Sequence, residues 1–166
     1  MVQQRAREQQ HAQTDESRAY TPAVARSNTT DEFFVDAPPA RLFAELADAE
    51  RMREWWPGVR ASNSGGRVKI RAPGFRRLAR TVRFEARLDG LRPGEGLTWW
   101  LEKGELRGRG EWWLEGFKTG TIVHYYLDVE RGDRGRARRV TSAVRRHRWA
   151  VRRGVNALKD RLENRR

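Results

Sequence analysis

The chain has 166 residues, 35 Lys or Arg against 22 Asp or Glu, and no cysteine. That length suits one domain with a real core, and the missing cysteines exclude a disulfide framework, a thiolate metal site and a cysteine nucleophile. The net charge of +13 is uneven: residues 131–166 hold 14 basic side chains against three acidic, the rest 21 against 19, so the body is nearly neutral. A solvated helix face is the plainer reading of such a run, and nonspecific attraction of nucleic acid or anionic membrane is the sharper one.

Residues 1–30 are polar and aperiodic. They are expected to form a disordered tail ahead of a single domain over 31–166. The longest apolar runs fall far short of a membrane span, and the start lacks the apolar core of a signal peptide, so a cytoplasmic protein is expected. Phe33-Phe34-Val35 predicts a strand over Asp31–Asp36. Ala37-Pro38-Pro39 ends it and suits the first turn of a short helix, Ala40–Leu46, with Leu42, Phe43 and Leu46 on its apolar face. Asp48 is placed to cap a second short helix, Ala49–Trp56, which Pro57-Gly58 stops.

Val59–Ser64 and Arg67–Ala72 read as a hairpin across Gly65-Gly66. In Thr81–Leu88, Val82, Phe84, Ala86 and Leu88 face one way and Arg83, Glu85 and Arg87 the other, a strand with one dry side. Pro93-Gly94 fits a type II turn. Leu97–Glu102 follows, with Leu97, Trp99 and Leu101 on one face. In Leu106–Phe117, Trp112 and Leu114 oppose Trp113. In Thr121–Glu130, Val123, Tyr125, Leu127 and Val129 alternate with Ile122, His124, Tyr126 and Asp128. Both of these faces are largely apolar, which predicts a central strand half covered on its outer side. A loop, Arg131–Ala137, leads to a long helix, Arg138–Glu163. Val140, Val144, Val151, Val155, Leu158 and Leu162 form its stripe, edged by Ala143, Ala150, Gly154 and Ala157. Arg145, Arg146, Arg152, Arg153 and Asp160 lie opposite.

Strands in succession with tight turns make an antiparallel sheet, and the long helix must cover its dry face. The fold class is therefore α+β: a curved antiparallel sheet of about seven strands around a C-terminal helix, with two short helices between the first two strands. Those helices close one end and leave a wedge-shaped space, a common place for a ligand.

That order carries particular words: Ala37-Pro38-Pro39 before Leu42-Phe43, Leu46-Ala47-Asp48, Trp55-Trp56-Pro57, Leu91-Arg92-Pro93-Gly94 before Leu97-Thr98-Trp99, and Gly120-Thr121. With the amphipathic final helix they resemble the START-like, or SRPBCC, helix-grip superfamily, and within it the polyketide cyclase/dehydrase and lipid-transport family. The resemblance spans about Thr30 to Glu163. It implies a hydrophobic pocket between sheet and final helix, but no single activity, because members include carriers, receptors, cyclases and chaperone activators. The polar N-terminal extension and arginine-dense final helix depart from the common pattern.

If Phe84 and Leu88 face inward, strand pairing brings Trp99, Trp112 and Tyr125 to the same face. With Trp56, His147 and Val151 these are the candidate pocket residues, suited to a flat apolar ligand. Simple core filling is equally open. His147, on the flank of the stripe, is either a polar group at the cavity or a satisfied edge histidine. His124 and Tyr126 replace Tyr125 if the faces are reversed. Glu102 and Asp128 read as solvated acids. No acid/base pair of the kind a cyclase needs can be named, so catalytic residues are unknown. Nucleophile-elbow, phosphate-loop and zinc motifs are missing, and neither metal nor cofactor is expected. Trp149, among Arg145, Arg146, Arg152 and Arg153, has three readings: a nucleic-acid or membrane contact, a ring covered by arginine through cation–π contact, or a face buried in a homodimer. Three functions follow in order: carriage of a small hydrophobic, lipid- or polyketide-like ligand without catalysis; a cyclase or dehydratase using the same cavity; and a basic adaptor working through the final helix.

Overall fold

The computed structural model describes residues 26–64, 67–72, 82–132 and 140–164. Among these residues the chain runs β1 (Arg26–Val35), α1 (Pro39–Leu46), α2 (Ala49–Trp55), β2 (Arg60–Ser64), β3 (Arg67–Ala72), β4 (Val82–Arg92), β5 (Gly96–Gly104), β6 (Leu106–Phe117), β7 (Gly120–Arg131) and α3 (Val140–Glu163). The seven strands form one antiparallel sheet in the order β1-β7-β6-β5-β4-β3-β2. From β2 onward each strand pairs with the next, as short connections favour. The exception is β1, which lies beside β7. The chain between β1 and β2, which includes α1 and α2, therefore crosses from one sheet edge to the other.

The alternation read from sequence sets the faces. Val68, Ile70, Val82, Phe84, Ala86, Leu97, Trp99, Leu101, Trp112, Leu114, Val123, Tyr125, Leu127 and Val129 are all buried, while their neighbours along each strand, Gly96 apart, are half-buried or exposed. The stripe of α3 closes on this face: Val140, Val144, Val151, Val155, Leu158 and Leu162 are buried too. Asp48 caps α2 by accepting hydrogen bonds from the backbone N–H groups of Glu50 and Arg51. Gly94 has φ of 77° and Glu95 N–H donates to Arg92 C=O at 2.9 Å, the type II turn expected of Pro93-Gly94.

Some boundaries differ from expectation. Residues 26–30, assigned above to the polar tail, extend β1 by pairing Arg26 through Thr30 with Glu130 through Tyr126. Their order comes from ladder hydrogen bonds at a sheet edge, so no apolar pattern marks them. Strand β4 runs on through Asp89 to Arg92 across a register irregularity that breaks the alternation. Strand β7 is second from the edge and not central, although its outer residues Ile122, His124, Tyr126 and Asp128 are half-buried as expected. The Gly65-Gly66 turn, residues 1–25 and most of the Arg131–Ala137 loop lie outside the described residues.

Candidate functional site

The site is built where three inner strands meet the first half of α3. Cross-strand pairing sets Leu88 opposite Trp99, Leu97 opposite Trp112, and Trp112 opposite Tyr125, so aromatic side chains fall in neighbouring columns of the inner face. His147 enters from the α3 stripe, one turn after Val144 and one before Val151. The rings form a closed circuit. Centroids are 5.9 Å apart for Phe84–Trp99, 5.6 Å for Trp99–Trp112, 4.3 Å for Trp112–Tyr125, 5.9 Å for Tyr125–His147 and 5.2 Å for His147–Phe84. Because the rings touch, a guest reaches the middle of the circuit only by parting them.

Tyr125 Oη and His147 Nε2 lie 2.7 Å apart and are fully buried. Burial pushes the phenol well above its usual range and pushes the imidazole down to about 4, with nearby Asp31 opposing the second effect. Both groups are therefore neutral near pH 7, and a single neutral hydrogen bond joins sheet to helix. The phenol reaches over Gly110, where a side chain would meet Oη at 2.6 Å. A glycine in β6 thus makes room for the hydroxyl.

Sequence reasoning missed Asp31. It lies opposite Tyr125 in the β1–β7 ladder, is 3 % exposed, and is held by two arginines of α3. Arg148 donates through Nε at 2.8 Å and Nη2 at 2.7 Å, and Arg152 through Nε at 2.9 Å. Burial raises the carboxyl, but the two guanidiniums outweigh it and hold Asp31 below the ordinary carboxylate range. Two signals were available: arginines four apart on one helix, and an aspartate two residues before Phe33, on the parity that Val35 buries.

Further indole N–H groups stand out. Nε1 of Trp55, Trp99 and Trp112 is buried without a hydrogen-bond partner in the protein. Trp56 stacks on Trp55 at 5.6 Å and lies against α3 at Gly154, where a Cβ would come within 2.8 Å of its ring. Gly154 is seven residues beyond His147, about 10 Å along the helix axis, so Trp56 is not part of the circuit. Val151 is buried between the two positions.

His124 and Tyr126 face outward, which settles the faces in favour of Tyr125. His124 sits between Glu32 at 3.3 Å and Glu115 at 3.4 Å, and Arg109 lies 5.7 Å over the Tyr126 ring. Glu102 pairs with Arg67 and Arg87, and Asp128 with Arg26. On the same outer face a wide open groove is lined by Arg67, Arg87, Trp100, Glu102, Lys103 and Arg107 among others. It lies across the sheet from the ring circuit.

Of the three readings of Trp149, the structure shows one. The residue is half-buried against the core with the Arg153 guanidinium 5.5 Å over its ring, which is the arginine-covered reading. Other arginines of α3 also turn to partners in the chain: Arg146 to Glu105, Arg148 and Arg152 to Asp31, Arg161 to Glu54. No described helix is long and apolar enough to cross a membrane. Among the described residues no group of three or more His, Cys, Asp or Glu is placed to hold a metal ion.

An antiparallel sheet closed over one long C-terminal helix, with two short helices inserted after the first strand, defines the helix-grip fold. The family model described as polyketide cyclase / dehydrase and lipid transport matches residues 26–163, and the chain belongs to that family. The fold is similar to that of TTHA0849 from Thermus thermophilus (TM-score 0.63, 18 % identity, 83 % of this chain and 98 % of that one). It is also similar to the Aha1 dimer from Colwellia psychrerythraea (TM-score 0.56, 19 %, 82 % and 96 %) and to Ara h 8.0201 (TM-score 0.60, 16 %, 84 % and 99 %). At these identities the likeness is one of fold alone. No curated protein matches the sequence.

Proposed function

We propose that the protein binds a small, apolar, ring-bearing molecule between its sheet and α3, at Phe84, Trp99, Trp112, Tyr125 and His147, with Val151 and Trp56 bordering the site. The observation that carries this reading is the closed circuit of five rings beneath the helix. Aromatic faces offer a flat guest offset-stacked and edge contacts that aliphatic packing does not. Membership of a family described by lipid transport and polyketide cyclisation supports it.

Nile red, a neutral dye that brightens in apolar surroundings, tests the reading. Saturable one-to-one binding is expected, with dye emission excited through tryptophan. No brightening, or brightening that never saturates, contradicts it.

A second reading, cyclase or dehydratase chemistry at the same site, is favoured by the Tyr125–His147 pair. An imidazole that stays neutral at pH 7 can accept a proton from an enolisable guest while a neutral phenol donates to the oxygen that gains charge. Adaptor binding through Arg145, Arg146, Trp149, Arg152 and Arg153 has less support, because Arg146, Arg152, Arg153 and Trp149 already engage groups of the same chain.

A further inference from the structure

Resting on that ligand-binding reading, we propose that the guest is a neutral ring system bearing a hydrogen-bond-accepting oxygen, such as a ketone or ester, held by the indole N–H groups of Trp99 and Trp112. Both nitrogens are buried in the circuit and no protein acceptor reaches them. The two indoles meet edge to face at 73°. An N–H over a ring face is a weak substitute for a carbonyl acceptor. A buried donor left unpaired is costly, so a guest that supplies an acceptor gains over the same hydrocarbon without one.

Burial at the site weighs against an anion. Asp31 is the charge felt by both Tyr125 and His147. The two guanidiniums beside it already hold its carboxylate, and their side chains are 33 % and 56 % exposed, toward solvent. A carboxylate or a phosphate among the rings would be buried without a group turned to pair with it, because both guanidiniums are directed at Asp31, and burying an unpaired charge is prohibitive. His147 stays uncharged at neutral pH and offers no counter-ion. The aromatic lining selects for rings, the indole donors for an acceptor, and the cost of burying an unpaired charge against an anion.

Three probes of one shape separate these preferences: 2-acetylnaphthalene, naphthalene and 2-naphthoate, each measured by equilibrium dialysis against the full chain near pH 7. The ketone is expected to bind about tenfold more tightly than naphthalene, the value of one hydrogen bond, and naphthoate about a hundredfold more weakly than the ketone or not at all. Trp99→Phe and Trp112→Phe remove the N–H together with part of the ring surface, so both affinities should fall, and the readout is the ratio of ketone to naphthalene affinity, which should shrink toward one. Should either variant misfold, the wild-type protein still decides: the ¹⁵N–¹H indole signals of Trp99 and Trp112 should move downfield with the ketone and not with naphthalene. Equal affinity for ketone and naphthalene, or tighter binding of naphthoate, overturns the inference and leaves the ligand-binding reading standing. Failure of the ketone to bind also overturns it, and the Nile red result then shows whether the reading beneath it falls as well.

Discussion

His147 shows how one buried side chain ties stability to pH. In an unfolded chain its imidazole titrates near 6.5, and in the folded protein burial brings it down to about 4. Between those values the unfolded chain binds more protons than the folded one, so stability falls as pH drops through this window and levels off below it. The shift corresponds to roughly 3 kcal/mol over the whole window. Urea unfolding of wild type at pH 7, 5.5 and 4 should show that loss, and His147→Gln should flatten much of the slope. An unchanged slope in the variant would mean that another group governs acid sensitivity. Asp31 makes a second residue-scale prediction. Its side chain is 1 % exposed while its arginine partners are partly in water, so Asp31→Asn should cost about 2 kcal/mol, less than for a fully buried pair. The same unfolding titration at pH 7 measures it. The sequence left the role of His147 open and only hinted at that of Asp31. An aspartate at a strand entrance reads as surface, and a histidine on a stripe flank reads as an edge residue until pairing puts Tyr125 beside it.

At the level of elements, α3 carries both the grip and its tightest contact. Gly154 brings the helix backbone against the Trp56 indole, with no space for a methyl group. Gly154→Ala should gain helix propensity yet lose about 1–3 kcal/mol net to overpacking, and Trp56→Leu in the same chain should recover part of that loss. A double-mutant cycle by thermal or chemical unfolding reads the coupling. If Gly154→Ala proves stabilising, the helix does not sit this close to α2. The sequence did disclose the small-residue edge of Ala143, Ala150, Gly154 and Ala157, but not which side chain used it. It disclosed the strand faces better, because Val82, Phe84, Ala86 and Leu88 alternate with Arg83, Glu85 and Arg87 at period two and strand pairing carries that face to Trp99, Trp112 and Tyr125. It disclosed strand ends less well. Arg26 through Thr30 are ordered by hydrogen bonds to β7 and bury little apolar surface, so periodicity could not reveal them. For Trp149 a helical wheel assigns an angle and not what covers it, so the sequence left three readings open. Arg153 and the core edge cover this ring.

Across the whole molecule, the sheet divides the surface into two places where an aromatic guest could settle. The inner one lies among the five rings under α3. The outer one is the open groove beside Trp100, where Glu102 pairs with Arg67 and Arg87 and the lining keeps an excess of basic side chains. Family membership supports the inner face without saying what it holds, and the sequence pointed there through strand parity and the family resemblance. Intermolecular nuclear Overhauser contacts between bound Nile red and the protein test the assignment most directly. Contacts from dye protons to Trp112, Tyr125, His147 and the Val151 methyls are expected. Contacts confined to Trp100 and its outer-face neighbours, with none to α3, would contradict it.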